Sequence, residues 1–100
     1  MPITGDLLIG AENRRGSGAS QFAINPATGE TMQPAFSTGT ALDVADACRL
    51  AGEAVDAFRA LPLERRAAFL DGVAQAILDL GEELVERVMA ESGLLRGRVE

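Results

Sequence analysis

The chain of 100 residues contains no lysine, histidine, tryptophan or tyrosine, and it has one cysteine, Cys48. The missing lysine excludes a Schiff-base nucleophile and a P-loop phosphate ligand, and the missing histidine excludes an imidazole base and a histidine-bearing zinc site. A lone cysteine cannot form an intramolecular disulfide, which fits a reducing compartment. This chain by itself therefore lacks the residues that most known catalytic sites need.

Positive charge is also scarce. Nine arginines against fifteen acidic residues give a net charge of −6, which argues against nucleic acid or an anionic membrane as a partner. No run approaches the ~20 apolar residues of a membrane span. The first ten residues, MPITGDLLIG, lack the basic region of a signal peptide. We therefore predict one cytoplasmic domain at most.

Residues 1–37 are predicted to form strands and a loop. Short apolar runs at 7–9, 22–24 and 32–36 indicate two or three strands, while the polar stretch ENRRGSGAS indicates a mobile loop between them. Strand pairs this short are marginal in water, so we expect a helix or another sheet beside them.

The stretch INPATGE predicts a tight turn within this region. Pro26 fixes its own φ and pushes Asn25 towards extended geometry, so the strand should finish at Ile24 and Asn25. Gly29 supplies the positive φ that such a reversal often needs. Turns of this kind occur in many globular proteins, and the heptapeptide alone indicates no function.

Residues 38–100 are predicted to form three helices. The first should begin at Thr40, with Asp43 completing an approximate capping box, and stop before Pro62, which suits the first position of the next helix. The second should end at Gly81 and the third at Gly93. The first helix has one apolar face, formed by Val44, Ala47, Cys48, Ala51, Ala54, Val55 and Phe58.

The side chains with chemical potential have plainer explanations. Cys48 lies on the apolar face of an alanine-rich helix, so we predict an inert packing residue in a core. Glu82 and Glu83 fit the first turn of a helix, where the macrodipole favours anions, better than acid-base catalysis. Arg65 and Arg66 stand at a helix start, which is unfavourable for cations, and are either exposed or committed to an ion pair or an interface.

No phosphate-binding loop is present, because the glycines form neither GxGxxG nor GxxxxGK. These residues therefore predict an α+β chain with short antiparallel strands followed by three helices, and they name no activity. An acidic, non-enzymatic helical interaction module is one hypothesis, and an independent small enzyme is another.

The order of several motifs is more specific. The strand LLIGAE, the turn FAINPATGE, the helix TALDVADACRLAGEAVDAF, the junction RALPLERRAAFLDGVAQAI and the end LVERVMAESGL together resemble the amino-terminal segment of the aldehyde dehydrogenase superfamily, from Leu7 to Glu100. Within it, AFRALPLERRAAFL followed by AESGL looks most like the 2-oxoglutarate semialdehyde dehydrogenases and the NADP-using fatty aldehyde dehydrogenases. Residues 1–100 would then be part of the dinucleotide-binding domain of an α/β enzyme.

The resemblance implies oxidation of an aldehyde to a carboxylic acid by a complete enzyme. There, a cysteine thiolate attacks the carbonyl, hydride passes to NAD or NADP, and a water activated by a glutamate releases the thioester. None of these groups falls on this chain, and Cys48 does not match the family nucleophile. We therefore predict no catalytic, cofactor-binding or metal residue here, a segment inactive by itself, and the remainder of the enzyme as its partner in a homo-oligomer.

Two further expectations follow from the resemblance. Some members hold a monovalent cation at a place that corresponds to Ala23, Ile24 and Glu91, although an ordinary surface acid is the better explanation of Glu91. Leu95 stands where relatives often have proline, and the chain stops after GRVE with no terminator. We therefore expect either a piece of a longer gene product or an enzyme reduced to its opening segment.

Overall fold

The structure is a computed structural model that describes residues 2–100. Four short strands precede four helices. The strands are β1 (Leu7–Ile9), β2 (Glu12–Arg14), β3 (Ser20–Gln21) and β4 (Phe36–Ser37), and the helices are α1 (Ala41–Arg59), α2 (Leu63–Asp79), α3 (Gly81–Ser92) and α4 (Arg96–Val99). Short antiparallel strands followed by helices agree with the predicted α+β class.

Strands β1 and β2 form an antiparallel hairpin in which Leu7 pairs with Arg14 and Ile9 with Glu12. Gly10 occupies the turn with a φ of 63°. The prediction that residues 12–14 belong to a mobile loop is therefore wrong. Their polar sequence carries no strand signal, and the pairing partner β1 determines their conformation instead.

The second strand pair lies on both sides of the predicted turn. Strand β3 pairs antiparallel with β4, and Ile24 forms an isolated bridge with Thr31. The predicted strands at 22–24 and 32–36 are confirmed only in part: the ladder forms at their outer ends, while inside them the pairing consists of the Ile24 bridge and the hydrogen bond from the Met32 amide to the Ala23 carbonyl. The turn itself is confirmed: the Asn25 amide donates to the Glu30 carbonyl at 2.9 Å, and Gly29 has a φ of 77°.

Ser37 ties three parts of the N-terminal region together. Its amide and its hydroxyl both donate to the Gly5 carbonyl, at 3.0 and 3.2 Å, and its Oγ accepts the Gly16 amide at 2.8 Å. Gly5 has a φ of 76°, and a Cβ on it would collide with the Ala35 carbonyl oxygen. A side chain at position 5 is therefore excluded by both conformation and space.

Helix α1 begins as predicted. The Thr40 amide donates to Asp43 Oδ2 at 2.9 Å, which closes the capping box. The helix ends at Arg59, before Pro62. Pro62 was predicted to be the first helical residue of α2. With a ψ of 153° it is instead the N-cap, and the helix begins one residue later, at Leu63.

The later helix junctions differ in part from the prediction. Gly81 separates α2 from α3, but it has a φ of 60° and opens α3, whereas α2 ends at Asp79. Gly93 ends α3 with a φ of 74°, as expected. The fourth helix, α4, was not predicted, so the expected count of three helices is wrong. It is one turn long, and Arg96 bonds there to Glu82 and Glu100.

Helix α1 packs on the β1–β2 hairpin through its charged side. Arg14 Nη1 lies 2.9 Å from Asp46 Oδ2 and 3.5 Å from Asp43 Oδ1. The Leu50 side chain lies next to Gly10, where a Cβ would be 3.0 Å from Leu50 Cδ1. The half-buried positions of α1 are Asp43, Asp46, Ala47 and Leu50, and residues 51–59 are exposed. The apolar face of α1 consequently remains largely uncovered.

The arrangement has no closed core. Among residues 2–100 no apolar side chain is fully buried, and the Cα radius of gyration is 16.8 Å. A compact domain of this length has a radius of gyration of about 13 Å. None of the described helices has the length and apolar character needed to cross a membrane.

Candidate functional site

Arg87 connects helix α3 to the N-terminal region. Its Nε donates to Glu91 Oε1 at 2.6 Å, and its Nη1 donates to the Gln33 carbonyl. Its guanidinium lies over the Phe36 ring, 5.7 Å from the centroid. The side chain is only 16% exposed, and Nη2 is buried without a hydrogen-bond partner. Arg87 therefore fixes α3 against the segment 33–36.

A cavity of about 470 Å³ lies beside Arg87. It separates the segment 2–6 and the hairpin from the start of α3. The lining is mainly apolar, and its charged members are Asp6, Glu83 and Arg87. Two acids beside one arginine give no excess of positive charge, so the cavity has no evident preference for an anion.

The residues of the expected cation site are only partly brought together. Ala23 and Glu91 line a second, smaller cavity, which Ile24 does not line. The Ala23 carbonyl accepts the Met32 amide at 2.8 Å, and the Glu91 carboxylate accepts from Arg87. The Ala23 carbonyl and one oxygen of the Glu91 carboxylate therefore already accept a hydrogen bond each. Within residues 2–100 no group of three acidic or thiol side chains is arranged to hold a metal ion.

Cys48 is exposed in the structure, so its prediction as a packed core residue is wrong for the described chain. The reason is that most of the apolar face of α1 is uncovered, and Cys48 shares that face. Glu82 pairs with Arg96 at 2.8 Å and remains largely exposed, as expected. Glu83 differs from the expectation of solvated charge, because it is half-buried and lines the larger cavity.

The two arginines at the start of α2 have different surroundings. Arg65 is exposed, as expected. Arg66 is half-buried, and its Nε is buried without a hydrogen-bond partner. Arg66 lies on the same side of α2 as Leu70, Val73 and Ile77, which follow it at helical spacing. It is therefore a cation at one end of an apolar stripe.

The start of α1 does not fit a dinucleotide phosphate. In dinucleotide-binding motifs the phosphate lies where a glycine-containing loop connects a strand to a helix, and here such a junction occurs at Gly39 between β4 and α1. There the Asp43 carboxylate accepts the Thr40 amide, and that hydrogen bond, together with the one from the Arg14 guanidinium, lowers the pKa of Asp43. An anionic side chain thus occupies the place that a phosphate would need.

The largest unexplained feature is an exposed apolar surface on α1 and α2. The two stripes meet where Phe58 contacts Phe69, with ring centroids 5.4 Å apart. We call it the α1–α2 surface, and it is formed by Val44, Val55, Phe58, Phe69, Leu70, Val73 and Ile77. The side chains of these residues are between 40% and 65% exposed.

Sequence reasoning did not single out Arg14 and Arg87, which carry the main polar contacts between distant segments. Both lie in otherwise unremarkable stretches, and their partners are 29 to 54 residues away in the chain. A signal was available for Arg87, because Glu91 follows it at the i, i+4 spacing of a helical ion pair. The contacts with Gln33 and Phe36 had no sequence signal.

The chain is similar to known enzymes over its whole length. The model of the aldehyde dehydrogenase family matches residues 14–99. The chain is 46% identical over 101 residues to alpha-ketoglutaric semialdehyde dehydrogenase 2 of Azospirillum brasilense, covering 100% of this chain and 19% of that relative. It is 34% identical over 91 residues to N-succinylglutamate 5-semialdehyde dehydrogenase 2 of Caulobacter vibrioides, covering 91% of this chain and 19% of that relative.

No solved structure matches the chain significantly. The chain spans 19% of the length of each of the two relatives. The family match nevertheless covers most of the described residues, including the turn at 25–30 and all four helices. The chain belongs to the aldehyde dehydrogenase family.

Proposed function

We propose that the chain is a segment of an NAD- or NADP-dependent aldehyde dehydrogenase that oxidises a semialdehyde to a carboxylate. The observation that carries this proposal is the 46% identity to the Azospirillum enzyme across the entire chain. In the complete reaction, the aldehyde and water yield a carboxylate, two electrons pass to the nicotinamide as hydride, and two protons are released.

The proposed substrate class is supported by the names of both relatives, which are semialdehyde dehydrogenases. A semialdehyde carries an aldehyde at one end and a carboxylate at the other. Our proposed substrate is 2-oxoglutarate semialdehyde, because the relative with the higher identity is named for it. The segment resembles that subgroup in its helix junction and its AESGL end.

The proposed role of residues 1–100 is structural support within the dinucleotide-binding domain. The chain has no histidine, its single cysteine is exposed on a helix, and the start of α1 is occupied by Asp43. No histidine is present in the sequence to activate Cys48. We propose that the segment alone binds no cofactor and performs no turnover, and that the complete enzyme is a cytoplasmic homo-oligomer.

A chimera tests the proposed function. Residues 1–100 would replace the matching N-terminal 19% of the Azospirillum enzyme, and aldehyde-dependent NADH or NADPH formation would be measured. The relative without this segment and the 100-residue chain alone are the two controls. We expect activity in the chimera only. A folded but inactive chimera, or turnover by the 100-residue chain, would count against the proposal.

An acidic helical interaction module is the alternative. It is favoured by one observation, namely that helix α2 is exposed almost throughout while the net charge is −6. Such a module must be stable without further polypeptide. A monomeric 100-residue chain that unfolds cooperatively would favour the module over the enzyme segment.

A further inference from the structure

The α1–α2 surface leaves both helices without a partner on their apolar sides. Helix α1 uses the side with Asp43, Asp46 and Leu50 to contact the hairpin, and this side is different from its apolar face. Helix α2 is exposed along nearly its whole length, and Phe69 contacts Phe58 at its beginning. A helix with a wide apolar stripe gains most of its stability from packing that stripe.

Arg66 provides a second, independent observation on the same surface. It is half-buried, its Nε lacks a hydrogen-bond partner, and no described carboxylate lies within ion-pair distance of its guanidinium. Its neighbour Arg65 shares the residue type and the position at the start of α2, yet it faces away from the stripe and is exposed. An unpaired cation at the edge of an apolar surface points to an acceptor on whatever covers that surface.

The length of the relatives indicates what the covering element is. The segment amounts to 19% of each relative, so most of the polypeptide of such an enzyme lies outside it. Resting on the proposed function, we infer that the polypeptide following residue 100 in the complete enzyme covers the α1–α2 surface. It also supplies a carboxylate or carbonyl acceptor for the Arg66 guanidinium.

The test compares matched variants in the chimera described above. Val73→Asp places a charge on the surface, whereas Gln75→Asp places the same charge on the opposite, polar side of the same helix. A buried unpaired carboxylate is costly, so Val73→Asp should lower the yield of soluble, folded chimera by about tenfold or more. Gln75→Asp replaces an exposed hydrogen bond to Asp79 with a like charge that stays in water, so it should lower the yield far less.

The arginine pair tests the polar part of the inference. Arg66→Met keeps much of the side-chain length and removes the charge. Arg65→Met makes the same change at the adjacent, exposed position of the same helix. The thermal unfolding midpoint of the chimera should fall for Arg66→Met and stay unchanged for Arg65→Met. In the 100-residue chain, both variants should have equal helix content by circular dichroism, because the acceptor is absent there.

The outcomes separate this inference from the proposed function. An active chimera that tolerates Val73→Asp and Arg66→Met would overturn the inference and leave the function standing. A folded but inactive chimera that is sensitive to both variants would support the inference and count against the function. A compact dimer of the 100-residue chain that Val73→Asp dissociates, with no effect in the chimera, would assign the surface to a second copy and overturn the inference. A wild-type chimera that does not fold would contradict both.

Discussion

The rings of Phe58 and Phe69 meet edge to face, with their planes inclined at 74° and their centroids 5.4 Å apart. Phe58 belongs to the last turn of α1 and Phe69 to the second turn of α2. The pair spans the Pro62 junction, and it joins the two apolar stripes into one surface. It is therefore the point at which the orientation of α2 relative to α1 is set.

Removing one ring should loosen this junction. Phe69→Ala in the 100-residue chain should cost about 0.5–1.5 kcal/mol, the energy of an aromatic pair. In the chimera the same change should cost about 3–5 kcal/mol, because there the ring is expected to be buried and its loss leaves a cavity. Denaturant unfolding measures the cost in the chimera, and the loss of helix content by circular dichroism follows the effect in the 100-residue chain, with the exposed Asp71→Ala on the same helix as the control. Equal costs in the two proteins would contradict burial of Phe69 in the complete enzyme.

The capping carboxylate Asp43 predicts a pH dependence. The hydrogen bond from the Thr40 amide, followed by the one from Arg14, lowers the pKa of Asp43 in the folded chain. Its contribution to stability is therefore complete above the unfolded pKa of about 3.9 and is lost as the pH falls through the lower folded pKa.

Helix content of the 100-residue chain, followed by circular dichroism from neutral to strongly acidic pH, checks this dependence. Asp43→Asn should have less helix at neutral pH and a smaller further loss on acidification. The control is Asp56→Asn, since Asp56 is exposed and pairs only with Arg59 on the same helix. An identical acid titration for wild type and Asp43→Asn would rule out the capping role.

Arg87 should be sensitive to replacement by lysine. Lysine keeps the charge but lacks the planar fork that contacts Glu91, the Gln33 carbonyl and the Phe36 ring together. Hydrogen bonds that involve a charged group are worth about 1.5–3 kcal/mol, so Arg87→Lys should lower the stability of the chimera by about that amount. The exposed Arg59→Lys serves as the control and should change stability little. A neutral Arg87→Lys would show that α3 is held by apolar contacts alone.

Two glycines should respond in opposite directions to alanine. At Gly5, the positive φ and the neighbouring Ala35 carbonyl exclude a Cβ, so Gly5→Ala should be destabilising. At Gly72, no atom lies within 4 Å of the Cβ position, so Gly72→Ala should stabilise α2 by about 1 kcal/mol. Helix content and unfolding midpoints of the two variants check whether stability falls for Gly5→Ala and rises for Gly72→Ala. A destabilising Gly72→Ala would mean that the complete enzyme or another copy packs closely at that position.

The helices were predictable because their signals are local. Thr40 with Asp43, Pro62 and Gly93 act through their own backbone geometry, and each lies at or beside the expected boundary. The strand β2 was not predictable, because its residues are polar and acquire their conformation from pairing with β1. Strand positions near 22–24 and 32–36 shifted for the same reason, since apolar runs indicate burial and do not fix the register.

The packing of α1 was the least predictable feature. Helical periodicity identifies an apolar face, and the usual assumption is that this face contacts the rest of the chain. Here the contact with the hairpin is made by Asp43 and Asp46 through Arg14, 29 and 32 residues away. Cys48 was predicted to be buried on the same assumption and is exposed. The helical periodicity of apolar residues predicts that a helix face will be buried, but it does not predict which polypeptide covers that face.

The central claim is that the α1–α2 surface requires polypeptide beyond these hundred residues. The most direct measurement is binding of a hydrophobic fluorescent dye, combined with sedimentation, for the 100-residue chain and for the chimera at equal concentration. We expect the 100-residue chain to bind dye and to self-associate, and the folded chimera to do neither through this surface. A 100-residue chain that sediments as a compact monomer, unfolds sharply and binds no dye would contradict the claim.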